Sequence, residues 1–399
     1  MPQLWAGTDA GKSEHHCTVI DAEGERRLSR RVANDETTLL ELLGEVLDLS
    51  EGEPVTWAID LNAGGAALLI ALLAAHGQKV LYIPGRTVHH ASGSYRGDGK
   101  TDAKDAYVIA DQARMRRDLR PLQEQDEIAV DLRILTARRY DLTADRTRAI
   151  NRLRAQILEY FPALERAFNY STSKAALVLL TGYQTPAALR RIGQSRLAGW
   201  LSNRKVRNAQ AVAATALAAA RAQHTVIPGE RTAAAMVRTL AAAVTALDEE
   251  IARTDALIEA RFREHEHAVA ITSMPGMGSL LGAEFIACTG GDLDVIGSSR
   301  RLAGIAGLAP VPRDSGRISG NMRRPHRYHR RLLRVFYLSA QVAARCCPTS
   351  KAFYERKRSE GKSHKQAVLA RRRLDVLWAL IRDQRTFTAE PPQRGLAAA

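Results

Sequence analysis

The sequence predicts an α/β domain followed by a mostly helical remainder, and two observations predict it. Over residues 1–122, short β-branched and aromatic runs alternate with apolar helical stretches. From about residue 125 onward, apolar side chains recur instead at a spacing of three and four.

In chain order, QLWAGTD (3–9), CTVID (17–21) and RRLSRRV (26–32) read as short strands, with Gly11 and the Glu23-Gly24 pair marking turns. A helix near 36–48, a strand PVTWAID at 54–60, an Ala-Leu helix at 64–76 and a strand KVLYI at 79–83 follow. A meander first and crossovers afterwards is the order of an RNase H-like fold. Residues 123–265 carry two apolar stripes. Ile128, Leu132, Leu135, Leu142, Ile150, Leu153, Ile157 and Tyr160 form the first, interrupted by Arg139 and Arg146; Val237, Leu240, Val244, Leu247, Ile251 and Ile258 form the second. Two long helices flanking shorter Ala-rich ones predict a helical arm or antiparallel coiled coil, and a plain helical bundle fits the same pattern. Residues 266–385 form a third segment, opening with the apolar helix, turn and helix of VAITSMPGMGSLLGAEFIA. The Pro- and Ala-rich stretch 386–399 is expected to be disordered.

The formal charge is +15, and its distribution says more than its size. Residues 300–373 hold 20 Lys and Arg against 3 Asp and Glu, leaving 38 against 40 for the rest of the chain. A basic C-terminal surface implies a polyanionic partner, because phosphates attract it and release counterions on binding. The longest apolar run, Ala66 to Ala75, is too short to span a bilayer, and no secretory signal opens the chain, so a soluble intracellular protein is expected. Cys17, Cys288, Cys346 and Cys347 have neither zinc nor disulfide spacing and are expected to be reduced.

Four acids stand at positions where chemistry is expected. Asp9 ends the first strand, Asp60 ends VTWAID, and Asp102 and Asp105 lie three apart in GDGKTDAKDAYVIADQAR, on one face of a helix's first turns. Carboxylates held together repel one another unless a divalent cation neutralises them, and hard oxygen donors suit Mg²⁺ or Mn²⁺. Two such ions could serve phosphoryl transfer. Read separately, the same acids are turn residues and helix-start residues, with Thr101 or Asp102 as the cap. AGTDAGKS (6–13) formally fits a loose phosphate-loop pattern, but the strand-like HCTVIDA follows it where a helix is required.

In the C-terminal segment, the glycines Gly276 and Gly278 of Met274-Pro275-Gly276-Met277-Gly278 resemble a helix-hairpin-helix turn, whose backbone N–H groups can approach a phosphate. A simple interhelical turn fits as well. AGLAPVPRDSGRISG places Ser315 in a Pro- and Gly-rich loop between Arg313 and Arg317. A serine hydroxyl needs activation, and cations beside it would stabilise charge building on a phosphate. Arg323, Arg324, Arg327, Arg330, Arg331 and Arg334 then interleave with His326, Tyr328 and His329. With no acids nearby in sequence, this density reads as nucleic-acid contact rather than salt bridging.

Taken in order, GTDAGK, WAIDLNAGG, KTDAKDAYVIA, SMPGMG, AGLAPVPRDSGRISG and RRLLRVFYLSA resemble the insertion sequence 110 family of transposases. The resemblance spans nearly the whole chain. It implies a RuvC-like DEDD domain joined to a C-terminal serine domain, with Asp9, Asp60, Asp102 and Asp105 as the Mg²⁺-binding acidic quartet and Ser315 as the serine that becomes covalently joined to DNA. It also implies a homo-oligomer (dimer or tetramer) with composite active sites, a prokaryotic cytoplasmic, nucleoid-associated location, and in some members a noncoding bridge RNA as partner alongside DNA. Two departures stand out: the second acid is usually glutamate, where this chain has the shorter Asp60, and RRPHRYHRR replaces a lysine-arginine-glycine-asparagine stretch. The residues by themselves leave open two other functions: a junction nuclease of the RuvC type using water as nucleophile, and a basic nucleic-acid-binding protein whose carboxylates are structural.

Overall fold

The computed structural model describes residues 3–96, 99, 101–119, 121–122, 126–317, 319–323, 325–364 and 370–388. It divides into two compact units, residues 1–124 and 125–399.

The first unit is built on a five-stranded sheet. Strands β1 (Leu4–Ala10), β2 (Glu14–Ile20) and β3 (Arg26–Ala33) form the expected antiparallel meander. β4 (Val55–Ile59) and β5 (Lys79–Tyr82) add in parallel on the other side of β1, giving the order β3-β2-β1-β4-β5. α1 (Glu36–Leu49), whose N-cap Asp35 accepts the Thr38 N–H, leads from β3 to β4, and the short helix α2 (Ala67–Ala75) leads from β4 to β5. Parallel neighbours need crossovers, which these helices supply. Alternation along β1 divides the hydrophobic contacts. Leu4, Ala6 and Ala10 join the core under α1 and α2, while Trp5 packs on the opposite face with Val108, Ile109 and Ala110. Gly11 to Ser13 form the turn of the β1–β2 hairpin, so the phosphate-loop pattern lacks its helix, as its sequence context requires. Helix α3 (Gly85–Ser92) is not apparent from the sequence pattern. α4 (Asp102–Met115) starts at Thr101, whose hydroxyl accepts the Lys104 N–H at 3.2 Å.

The second unit begins with α5 (Glu127–Tyr160), which pairs with α11 (Glu230–Arg263). The two run antiparallel: Arg139 bonds Asp255, and Arg146, seven residues on, bonds Asp248, seven residues back. These are the arginines that interrupt the apolar stripe, and each meets a carboxylate across the helix pair. At one end of the pair, the short helices α6 (Pro162–Ala167), α7 (Lys174–Gly182), α8 (Pro186–Ile192), α9 (Gln194–Ser202) and α10 (Ala209–Arg221) close a core around Leu153, Ile157, Tyr160, Val237 and Val244. At the other end, Ala129 and Leu132 of α5 and Ile258 and Phe262 of α11 join the core of the C-terminal helices. The expected boundary at 265/266 therefore does not separate two cores, because the long helices contribute apolar faces to both.

That second core gathers α12 (Ala268–Ser273), α13 (Ser279–Thr289), α14 (Ser299–Ile305), α15 (Arg330–Cys346) and the final helix Ala370–Arg382. The stretch expected to be disordered from 386 starts anchored: the Phe387 N–H donates to Ser273 Oγ at 2.8 Å and its side chain packs on this core. Residues 389–399 lie outside those described. All four cysteines are free thiols. Among the described residues, no helix is long and apolar enough to cross a membrane.

Candidate active site

Three of the four acids are carried on elements that stack on one another, β1, β4 and α4. The parallel register sets Thr8 opposite Ile59, which brings the next residues, Asp9 and Asp60, to the same end of neighbouring strands. The Ala10 N–H donates to Asp60 Oδ1 at 3.1 Å and ties the two ends together. α4 lies directly on β1. A Cβ at Gly7 would sit 2.3 Å from both Ala106 O and Ala110 N, so only glycine permits this approach. Gly7 and Asp9 point to the same face of β1, and Asp105 immediately precedes Ala106. The electrostatics agree with this convergence. Burial raises the Asp60 carboxyl above the ordinary aspartate range and the negative charge of Asp105 raises it further, against the Ala10 hydrogen bond. Burial and the charge of Asp60 also raise the Tyr82 phenol.

Asp102 is placed differently. It is exposed at the start of α4 and forms a 3.1 Å ion pair with Arg31 of β3. Among the described residues, no three His, Cys, Asp or Glu side chains are gathered closely enough to hold a metal ion. Asp9, Asp60 and Asp105 offer hard carboxylate oxygens, and a divalent cation would relieve the repulsion between Asp60 and Asp105, so as a donor set they suit Mg²⁺ or Mn²⁺. Asp102 is engaged by an arginine.

A fifth acid on α4 has another task. Asp111 is buried, accepts from Tyr95 Oη at 2.7 Å and pairs with Arg114 at 2.7 Å, while Arg114 also donates to Ala22 O. Tyr95, its phenol pushed up to about 12 by burial and then by Asp111, thereby anchors the chain between α3 and α4. Neither residue stands out in the sequence, since Tyr95 and Asp111 meet across 16 positions.

In the second unit, Ser315 is exposed near the tip of a small hairpin formed by β6 (Val311–Pro312) and β7 (Met322–Arg323). Asn321 organises this hairpin, and sequence reasoning missed it. Its N–H donates to Asp314 Oδ1 at 3.0 Å, its side-chain amide to Arg313 O at 3.2 Å, and its side-chain oxygen accepts from Arg323. The Asp314 carboxylate beside Ser315 is thus occupied in holding the turn. Arg313 and Arg317, each two residues from the serine, and Arg323 on β7 are all exposed on this hairpin. The loop closes at its base, where the His329 N–H donates to Ile305 O at 2.7 Å and Gly307, at φ +67°, lies against the Tyr328 ring.

The other cations fare unequally. Arg327 and Arg330 are exposed, and Arg324 lies outside the described residues. Arg331 does not lack an acid, contrary to the sequence reading: Arg331 Nε and Arg334 donate to the two oxygens of buried Glu284 on α13, at 3.0 and 3.1 Å. The partner is invisible locally because it sits 47 residues upstream. The two glycines of the interhelical turn also part company. A Cβ at Gly276 (φ +77°) would meet Ser339 O of α15 at 2.6 Å, so packing against a helix backbone accounts for this glycine, not an open phosphate cradle. Gly278 is exposed at the start of α13.

Comparisons with known proteins place these two sites in two matched regions. A family model described as Transposase matches residues 6–162, which contain the four acids. A second, described as Transposase IS116/IS110/IS902 family, matches residues 268–355, which contain Ser315. The chain is 64% identical over 386 residues to the insertion element IS900 uncharacterized 42 kDa protein of Mycobacterium paratuberculosis, covering 96% of this chain and 97% of that one. It is 54% identical to the insertion element IS116 uncharacterized 44.8 kDa protein of Streptomyces clavuligerus, covering 98% and 97%. It is 34% identical to the insertion element IS110 uncharacterized 43.6 kDa protein of Streptomyces coelicolor, covering 98% and 96%.

Proposed function

Because the chain belongs to the IS116/IS110/IS902 family of transposases, we propose that it cuts and rejoins insertion-element DNA through a covalent bond to Ser315. The observation that carries this reading is the setting of Ser315: an exposed hydroxyl on a hairpin tied by hydrogen bonds of Asn321 to Asp314 and Arg313, which also carries three exposed arginines. Such cations suit a phosphate whose charge rises as it is attacked.

In the proposed step, Ser315 Oγ forms a bond to a backbone phosphorus while one P–O bond of the DNA breaks, and the departing strand end takes up a proton as a hydroxyl. The Oγ proton leaves to water, while Asp314 Oδ1 accepts the Asn321 N–H and holds the turn. Attack by a new strand-end hydroxyl reverses the exchange and frees the serine, so rejoining needs no external energy source.

Asp9, Asp60 and Asp105 are the residues proposed to hold Mg²⁺ or Mn²⁺, with Asp102 as the fourth candidate beside Arg31. A bound divalent ion supplies Lewis-acid stabilisation of phosphate oxygens. The acids' own contribution is to hold that charge at one strand end, on elements fixed by the Gly7 contact. Following the family resemblance, the reading includes a homo-oligomer and a bridge RNA transcribed from the element's noncoding end.

The test is denaturing-gel detection of a protein–DNA adduct with Mg²⁺, cognate element ends and co-expressed flanking RNA. The adduct is expected from the wild type and from Ser319→Ala, and is expected to vanish in Ser315→Ala. An adduct that persists in Ser315→Ala refutes the assignment, and cleavage without any adduct points to water as the nucleophile.

A further inference from the structure

Beyond the serine hairpin, a second group of cations lies on α16 (Pro348–Ser359) and the final helix Ala370–Arg382. The half-buried ring of Phe353 gathers three of them: the guanidinium carbon of Arg356 at 5.1 Å from the ring centroid, Lys357 Nζ at 5.7 Å and the guanidinium carbon of Arg372 at 4.8 Å. Arg372 comes from a different helix, so tertiary folding assembles the group. Glu360 opposes it, 2.6 Å from Lys357 and 4.0 Å from Arg356. Among the described residues, Arg372 forms no ion pair with a carboxylate. Three cations against one acid repel one another, and the ring's negative face offsets only part of this. The cluster is therefore poised for a multivalent anion, and evenly spaced backbone phosphates are one.

We infer that Arg356, Lys357 and Arg372, gathered on Phe353, grip the phosphate backbone of double-stranded DNA at a surface separate from the serine hairpin. Double-stranded rather than single-stranded nucleic acid fits because the nearby rings are already engaged. Phe353 carries the cations, and Tyr337 and Tyr354 stand edge-on to His364 at 6.3 and 5.7 Å, with Tyr354 Oη 2.8 Å from His364 Nδ1. Single-strand binders need open aromatic faces for the bases. The inference rests on DNA as the substrate, but not on serine chemistry.

The test measures equilibrium binding of the full-length protein to a duplex of unrelated sequence over a series of salt concentrations. Each phosphate contact contributes about 0.9 to the slope of log affinity against log salt, so Arg356→Gln/Arg372→Gln is expected to lower the slope by about 2. Phe353→Leu keeps the cations but not their gathering, and is expected to weaken binding severalfold with a smaller change in slope. α16 has no buried residues and Arg372 is exposed on the final helix, so both variants should melt with the wild type, which thermal denaturation checks. An unchanged slope in the double variant overturns the inference alone, as does a loss confined to an RNA duplex. A wild type that binds no duplex overturns both the inference and the reading beneath it.

Discussion

Gly7→Ala should damage the acidic site from beneath, without touching an acid. The added methyl would lie 2.3 Å from Ala106 O, 2.3 Å from Ala110 N and 2.8 Å from Ala110 Cα, all backbone atoms of α4 that no rotamer change can move. Non-bonded carbon contacts settle near 3.5 Å, so α4 must retreat by about 1 Å. Overpacking of this kind costs about 1–3 kcal/mol. The larger consequence is positional, because α4 carries Asp102 and Asp105, proposed above as metal ligands, and a shift of about 1 Å in a catalytic group can lower a rate about 100-fold. The control is Gly44→Ala, exposed in the middle of α1 with nothing within 4 Å of the new methyl. It should stabilise the protein by about 0.5–1 kcal/mol and leave cleavage at the wild-type rate. Urea denaturation and single-turnover DNA cleavage of the full-length chain read both effects. A Gly7→Ala protein with wild-type midpoint and rate would refute the close approach of α4. A lowered midpoint with an undiminished rate would detach the position of α4 from the chemistry.

Two further predictions concern buried charge. His265 is almost wholly buried; its Nδ1 accepts the His267 N–H, and its Nε2 lies 3.1 Å from Asp126. Burial holds it below the ordinary histidine value despite the pull of Asp126. The folded protein thus resists a proton that the unfolded chain takes up near pH 6.5, so stability should fall as pH drops below about 6.5. Urea midpoints between pH 7 and pH 5 should show this, with a shallower fall in His265→Gln. Glu284→Ala would strip Arg331 and Arg334 of their shared carboxylate. Losing one side of a fully buried pair costs about 3–5 kcal/mol, but these arginines keep 27% and 47% of their side-chain exposure, which brings the expected loss to about 1–3 kcal/mol. The urea midpoint measures it, and Glu284→Gln should recover part.

What could be read from the sequence is what short-range patterns encode. The meander, the crossovers, a helix cap at Thr101 or Asp102 and the three-residue spacing of Asp102 and Asp105 depend on residues within about one helical turn or one strand, whose periodicity is visible in the chain itself. The ordered set of motifs carried the family in the same way. Contacts between distant residues were not legible. Arg139 and Arg146 look like breaks in a seam until Asp255 and Asp248 arrive from over 100 residues away. Arg331 looks like a free phosphate ligand until α13 brings Glu284, and Gly276 looks like a phosphate turn until α15 presses against it. The candidate site divides along the same line. Each acid's place at a strand end or helix start follows from local sequence, because backbone geometry sets it. That Asp60 feels Asp105 while Asp102 turns to Arg31 follows only from the stacking of α4 on Gly7, because electrostatic and packing forces act across space and not along the chain.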